Sequence, residues 1–232
     1  MTNDSKNYAI IVAGGSGSRM QATIPKQFLL LNGLPVLMHT IQAFYNSGSQ
    51  PQIILVLPAD AISYWDELCK QYNFDTPHKV ITGGKTRFHS VKNGLDTINQ
   101  PDAIIAVHDA VRPLTSIQII DNSFTQAAKH GNAVVAVKSR DSIRQVKNLV
   151  SASLIRDEIY LVQTPQTFQS AQLKKAYEQP YDPKFTDDAS VVEEMDVVIK
   201  LIDGDYRNIK ITFPEDIAIA ELLLKQLQNN NF

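Results

Sequence analysis

The sequence predicts an α/β fold, a mostly parallel twisted sheet with helices on both faces and one protruding β-arm. Three observations lead there. Apolar, β-branched runs of strand length alternate with segments whose apolar residues recur at helical spacing. The strand-like runs end in glycines or charged residues, which suits sheets whose carboxyl ends carry a ligand crevice. The alternation breaks once, at about residues 138–160, where charges mix with short β-branched pieces.

Tyr8-Ala-Ile-Ile-Val-Ala13 reads as a buried strand closed by Gly14-Gly-Ser-Gly-Ser-Arg19-Met20. Asn32-Gly33 marks a turn, and Pro35 opens a helix carrying Val36, Met38, Ile41 and Phe44 toward a stop near Gly48. Residues 53–57 form the next buried strand, followed by a helix through Trp65 and Leu68. Val80-Ile81 runs into Gly83-Gly84, and from Thr86 a helix places Phe88, Val91, Leu95 and Ile98 on one face. The strand at 104–107 ends in His108-Asp109-Ala-Val-Arg112-Pro113. A helix from about Ser116 to His130 and a strand at 133–137 follow.

Residues from about Lys138 to Ile155 resemble a hairpin more than another βα unit. A solvated surface hairpin and an arm reaching a second subunit are both open readings. Residues 162–168 are extended, because Pro165 biases Thr164 away from the helical region. Asp187-Asp-Ala-Ser190 caps a short helix. Residues 197–202 and 208–212 are expected strands, and Pro214 starts the last helix.

At 232 residues the chain suits a single domain over 1–232, large enough for a substantial core. Its net charge of −2 and pI near 6.2 give no reason to expect nucleic acid or an anionic membrane as partner. No apolar run approaches the ~20 residues of a spanning helix, and the N-terminus lacks the apolar core of a signal peptide. The lone Cys69 permits no internal disulfide and suggests packing, so a reduced, cytoplasmic setting is expected.

The first glycine loop is the chemical focus. Glycines let backbone N–H groups approach a phosphate, and Arg19 and Lys26 set two cations beside them. Between Asp4 and Asp60 there is no Asp or Glu to cancel that field, as a polyphosphate pocket requires. Two named motifs fail. The second glycine of a P-loop would fall on Arg19 or Met20, and a dinucleotide fingerprint lacks both its third glycine and its ribose acid about 20 positions on. A phosphate loop of another kind remains, with a simple tight turn as the plain alternative. The glycine loop, Gly83-Gly84 and Asp109–Arg112 all fall at strand ends, and this convergence is the strongest functional argument from residue types.

Ala13-Gly-Gly-x-Gly-x-Arg-Met20, Pro25-Lys-Gln27, Gly83-Gly-x-x-Arg87-x-x-Ser90, His108-Asp-Ala-x-Arg-Pro113, Thr164-Pro-Gln166, Thr186-Asp-x-Ala-Ser190 and Asn208-Ile-Lys-Ile-Thr-x-Pro-Glu-Asp216 together resemble the 2-C-methyl-D-erythritol 4-phosphate cytidylyltransferase family, in its order and spacing. The resemblance implies a nucleotidyltransferase fold with a Rossmann-like core and a dimerising arm. It implies transfer of CMP from CTP to methylerythritol phosphate with release of pyrophosphate, in non-mevalonate isoprenoid synthesis.

The residue roles follow from that resemblance. Arg19 and Lys26 would stabilise the transition state. Ala13, Gly14, Gly15, Gly84, Ser90, Asp109 and Ala110 would bind CTP, and Asp109 would hold Mg²⁺, a helix cap being its plainer alternative. Arg112, Ser142, Arg156, Thr164, Thr186 and Lys210 would position the sugar phosphate, with Ser142 (threonine in the family) and Arg156 reaching the neighbouring subunit of a homodimer. Arg207 stands where some relatives carry an acid, so no second metal carboxylate is assigned, and Lys85 replaces another acid after the second glycine pair, which leaves backbone rather than side-chain contacts to the base there. His108 is expected to be structural, and the scattered histidines show no zinc spacing. A ribitol 5-phosphate cytidylyltransferase is the nearest rival. A non-catalytic nucleotide-binding module is a rival of another class, and the missing ribose acid disfavours a dinucleotide dehydrogenase.

Overall fold

A computed structural model describes residues 7–13 and 24–229. In chain order the strands are β1 (Asn7–Val12), β2 (Leu30–Leu31), β3 (Leu34–Pro35), β4 (Gln52–Leu57), β5 (Lys79–Thr82), β6 (Ile104–Asp109), β7 (Asn132–Lys138), β8 (Arg144–Lys147), β9 (Val150–Ser153), β10 (Tyr160–Gln169) and β11 (Leu201–Asp203). The helices are α1 (Val36–Tyr45), α2 (Ile62–Gln71), α3 (Arg87–Leu95), α4 (Ile117–His130), α5 (Ser170–Ala176), α6 (Asp188–Glu193) and α7 (Glu215–Asn229). Seven strands form the main sheet in the order β11-β7-β10-β6-β1-β4-β5, and β10 alone runs against its neighbours. The expected mostly parallel sheet is therefore present.

Period-two alternation decides the layers. Ala9, Ile11, Ile53, Leu55, Ile104 and Ala106 pack with Leu37, Phe44, Trp65 and Phe124 of α1, α2 and α4 on one face. Ile10, Val12, Ile54, Val56, Ile105 and Val107 pack with Phe88 and Val91 of α3, Leu173 of α5 and Val192 of α6 on the other. Each fully buried large side chain contributes about 1.5–3 kcal/mol. Helix α7 forms a smaller third cluster with Leu31, Val36, Val111 and Ile211.

Local signals set the helix starts. Ser116 accepts from the Ile119 N–H at 3.3 Å to cap α4, which ends where Gly131 takes φ +91°. Asp187 and Ser190 close a reciprocal capping box on α6.

Two expected strands are shortened or absent. Residues 197–202 pair with β7 only through Leu201–Asp203. Before that point the Asn132 side chain takes the place of a ladder, donating to Val198 O at 3.1 Å and accepting from Lys200 N–H at 2.7 Å. Residues 208–212 form no strand. Ile211 is buried and its N–H reaches Val111 O at 2.9 Å, but the Asn208 side chain is engaged by Thr115 and by Thr164 of β10, which draws the segment away from a regular ladder. Alternating Ile209 and Ile211 mimic a strand because they pack on α7.

The break in the alternation is a hairpin. β7 and β10 continue as a pair out to Lys138 and Tyr160, and beyond them β8 and β9 form a separate antiparallel ribbon. Val146, Leu149, Val150 and Ile155 are exposed along it, Leu149 at 99%.

His108 is fully buried at the end of β6, with its ring 4.8 Å from Phe44. Burial, reinforced by Arg112 and Lys210, pushes its pKa from 6.5 down to about 3 despite the opposing pull of Asp109. Below about pH 6.5 the unfolded chain therefore takes up a proton that the native state refuses. This contribution to stability is fully present above the unfolded pKa and is lost as the pH falls, by up to about 1.4 kcal/mol per pH unit. Urea unfolding between about pH 7.5 and about pH 5 is expected to show that decline, and His108→Gln should flatten it. An equal slope in the variant would rule His108 out as its source.

Candidate active site

The strand order reverses around β1, which lies between β4 and β6. Backbone bonds tie the carboxyl ends there: Ala13 N–H reaches Val56 O at 2.9 Å, Ala110 N–H reaches Val12 O at 3.1 Å, and Gly83 N–H reaches Leu57 O at 2.8 Å. A crevice outside such a reversal is the expected ligand position in an open α/β sheet.

Asp109, the last residue of β6, is the centre of that crevice. Its Oδ2 lies 3.2 Å from Arg112 Nε and 3.1 Å from Lys210 Nζ, and its Oδ1 lies 3.9 Å from Arg87 Nε. Burial alone would raise its pKa, but Arg87, Lys210 and Arg112 outweigh that and hold the carboxyl well below the usual carboxylate range. Thr164 Oγ1 accepts from the Asp109 N–H at 3.1 Å, which joins β10 to the same point.

Two adjoining chambers share Arg87, Asp109 and Lys210. One is completed by Ala13, Lys26, Gln27 and Ala110. The other is completed by Arg112, Gln163, Thr164, Gln166, Thr186 and Asp187. The expected residues Ala13, Lys26, Asp109, Ala110, Arg112, Thr164, Thr186 and Lys210 thus converge from distant stretches of chain. Gly14, Gly15 and Arg19 lie outside the described residues. Ser142 and Arg156 are exposed on the arm and line neither chamber.

Gly84 and Ser90 have a different kind of placement. Ser90 is 1% exposed, accepts from the Gly84 N–H at 3.0 Å and donates to Thr86 O at 3.0 Å. Its hydroxyl shapes the Gly83-Gly84 turn from within. A Cβ on Gly84 would stand 2.4 Å from His89 Cβ, so Gly84→Ala must displace the turn or the start of α3. That variant is expected to lose about 1–3 kcal/mol, read as a lower urea midpoint. A wild-type midpoint would show that the turn yields freely.

Residues beyond the expected set complete the site. Asn208 is fully buried and donates to Thr164 O at 2.9 Å, accepts from Thr115 Oγ1 at 2.7 Å, and its own O accepts from Arg112 Nη1 at 2.7 Å. It therefore locks the irregular segment that delivers Lys210. Arg87, positioned as the first residue of α3, is bound by Asp188 of α6. The spacing Gly83-Gly-x-x-Arg87-x-x-Ser90 contained a signal for Arg87, whereas no sequence signal marked Asp188 as its partner. Arg207 is held by Asp205 at 2.5 Å and faces neither chamber.

A cation could use Asp109. Oδ2 is occupied by Arg112 and Lys210, while Oδ1 lies beyond hydrogen-bond distance of Arg87. Among the described residues no group of three or more His, Cys, Asp or Glu could hold a metal. One ionised carboxylate, with an oxygen that accepts no hydrogen bond from the described residues, fits a hard cation that completes its shell from phosphates and water.

A mostly parallel α/β sheet with a crevice lined by Lys26, Arg87, Arg112 and Lys210 at its strand reversal suits a nucleotide-handling enzyme. Residues 8–226 match the family model of 2-C-methyl-D-erythritol 4-phosphate cytidylyltransferase (IspD). The chain belongs to that family, and is a cytidylyltransferase of the nucleotidyltransferase class. It is 50% identical over 220 residues to the Azobacteroides pseudotrichonymphae protein of that name, covering 94% of this chain and 99% of the relative. With the Porphyromonas gingivalis W83 protein of the same name it shares 48% over 223 residues, 95% of this chain and 99% of the other. The crystal structure of 4-diphosphocytidyl-2C-methyl-D-erythritol synthase from Anaerococcus prevotii superposes with a TM-score of 0.82 at 28% identity, covering 96% of this chain and 97% of that one. The Francisella tularensis 2-C-methyl-D-erythritol 4-phosphate cytidylyltransferase structure gives 0.77 at 32% identity, over 94% and 100% of the two chains.

Proposed function

We propose that the chain transfers CMP from CTP to 2-C-methyl-D-erythritol 4-phosphate, giving 4-diphosphocytidyl-2-C-methyl-D-erythritol and pyrophosphate, with the two chambers holding the two substrates. The observation that carries the assignment is the shared Arg87–Asp109–Lys210 boundary. Two anions must meet in line, and the cations between the chambers offset their repulsion. CTP occupies the chamber of Ala13, Lys26 and Ala110. The sugar phosphate occupies the chamber of Arg112, Thr164 and Thr186.

The nucleophile is the substrate's own phosphate, largely dianionic near pH 7 because its second pKa is about 6. Its oxygen forms a bond to the α-phosphorus while the bond from that phosphorus to the bridging oxygen breaks, and both electrons leave with pyrophosphate. No proton has to move, so the chain needs no general base. Its residues contribute positioning and charge stabilisation, which dominate phosphoryl transfers. Lys26 serves the charge growing on the triphosphate, together with Arg19. Lys210, held by Asp109, lies where the nucleophilic phosphate arrives. Asp109 would hold Mg²⁺, and the ion would supply positive charge to offset the negative charge of the phosphates.

The arm is assigned to a homodimer. Exposed apolar side chains on β8 and β9 suit contact with a second copy, which Ser142 and Arg156 would then reach. Mixing Lys26→Ala with Arg156→Ala protein is expected to restore part of the activity, because exchanged dimers contain one site with both residues intact. A monomer on sedimentation at micromolar concentration would count against a shared site. A reducing cytoplasm fits the single, partly buried Cys69.

Pyrophosphate release from CTP and Mg²⁺ with each polyol phosphate tests the reading. Turnover is expected with methylerythritol phosphate. No observation favours ribitol 5-phosphate, and a clear preference for it would overturn the substrate assignment. Calorimetric binding of CTP without turnover would instead support the binding-module reading.

A further inference from the structure

Arg87, which lines both chambers, is anchored by a buried carboxylate. Its Nη1 and Nη2 donate to the two oxygens of Asp188 at 2.9 and 2.5 Å. The Asp188 side chain has no exposure, while the Arg87 side chain is 30% exposed and lines both chambers. Tyr177, 1% exposed, adds a third bond by donating its OH to Asp188 Oδ1 at 2.6 Å. The tyrosine ring stacks on Phe88 with centroids 4.6 Å apart, so the residue beside Arg87 fixes the group behind it.

The anchor is itself fixed from the sugar-phosphate chamber. Gln166 of β10 donates to Asp187 Oδ2 at 2.8 Å and accepts from the Ala189 N–H at 2.8 Å, which clamps the start of α6 on both sides of Asp188. Gln166 and Asp187 line that chamber, as Arg87 does. A continuous set of bonds therefore runs from the chamber wall through α6 to Arg87, whose Nε stands 3.9 Å from Asp109.

We propose that Asp188, assisted by Tyr177, is a positioning residue for nucleotidyl transfer. It holds the Arg87 guanidinium between the two chambers, so that Nε faces Asp109 and the donors not used by Asp188 face the phosphates. This inference rests on the reading of the site as a cytidylyltransferase centre. The chemistry favours it over a plain tie between α3 and α6. Two of the five guanidinium donors satisfy Asp188, which leaves three directed elsewhere in a fixed fork. Burial opposes charge on Arg87, but Asp188 and Asp109 outweigh it and keep the group cationic. A lysine could carry the charge but could not accept the same two-point hold.

The test compares Asp188→Asn, Arg87→Gln and the double variant with wild type, measuring kcat, both KM values and thermal midpoint. Displacing a positioned group by about 1 Å costs about 10²-fold. Asp188→Asn is therefore expected to lower kcat about 10²-fold while both KM values stay within about threefold. Because Asp188 acts through Arg87, the double variant should turn over at the rate of Arg87→Gln alone. It also replaces the buried ion pair by two amides, so it remains informative if Asp188→Asn does not fold. A folded Asp188→Asn protein with wild-type kcat and only a lowered midpoint would overturn the proposal. So would a double variant with wild-type kcat, or one whose loss is the product of the single losses. If wild type itself releases no pyrophosphate from CTP and methylerythritol phosphate, the failure belongs to the assigned reaction and not to the Arg87 anchor, whose geometry the thermal coupling of the same variants still reads.

Discussion

Asp109→Asn is expected to lower kcat about 10²–10³-fold, the usual cost of removing one preorganised charged group. The carboxamide keeps one acceptor for Arg112 but removes the negative charge that Arg87, Arg112 and Lys210 surround. Three cations would then face one another across a crevice that must still admit phosphates. Breaking a buried ion pair costs roughly 3–5 kcal/mol. The lower end applies, because Lys210 is 44% exposed and can turn toward solvent. Urea unfolding and steady-state turnover together check the prediction. A variant as stable and as active as wild type would remove Asp109 from the centre of the site, whereas one that is stable but inactive would separate its chemical role from its structural one.

Lys26→Ala is expected to lower kcat by about 10²–10³-fold with a smaller rise in the KM for CTP. Lys26 begins a short 3₁₀ turn, Lys26–Phe28, whose next residues Gln27 and Phe28 are buried. Gln27 donates to Ala13 O at 3.3 Å, so the turn is attached to the end of β1. That attachment holds Lys26 at the wall of the chamber proposed for CTP. The charge matters most as pyrophosphate forms, hence the split between kcat and KM. An equal rise in KM with unchanged kcat would mean that Lys26 only binds ground-state CTP. Urea unfolding of this variant beside Asp109→Asn separates a loss of chemistry from a loss of fold.

The difference between these two variants reflects how each residue is supported. Lys26 is carried by a short turn that Gln27 ties to the residue after β1. Asp109 is held by side chains from α3, from the turn after β6 and from the 208–212 segment. Local support is legible in a sequence, and collective support is not. The caps show the same division. Thr86, Ser116 and Asp187 act within three residues of where they stand, and each starts the helix the pattern predicts.

Shortened strands follow the same rule in reverse. Residues 197–202 carry a good strand pattern, yet Asn132 intercepts their backbone from another element. Residues 208–212 alternate correctly, yet Asn208 is drawn into a buried network with Thr115, Thr164 and Arg112. Side-chain amides separated by more than 40 residues decide both cases. Ser90 is a comparable case within the site, where a hydroxyl expected to meet nucleotide is engaged by Gly84 and Thr86.

By itself, the order of residues determined the α/β class, the faces of the helices, the arm and the convergence of strand ends on one crevice. These depend on periodicities of two and 3.6 residues and on short-range turn chemistry, all of which a linear chain displays. Only the tertiary structure decided that Arg87, Asp109 and Lys210 stand between two chambers, and that Asp188 and Asn208 hold them there. Ion pairs and buried amides have no period and join residues from distant elements. Their partners exist only once the sheet has brought β6, β10, α3 and α6 together.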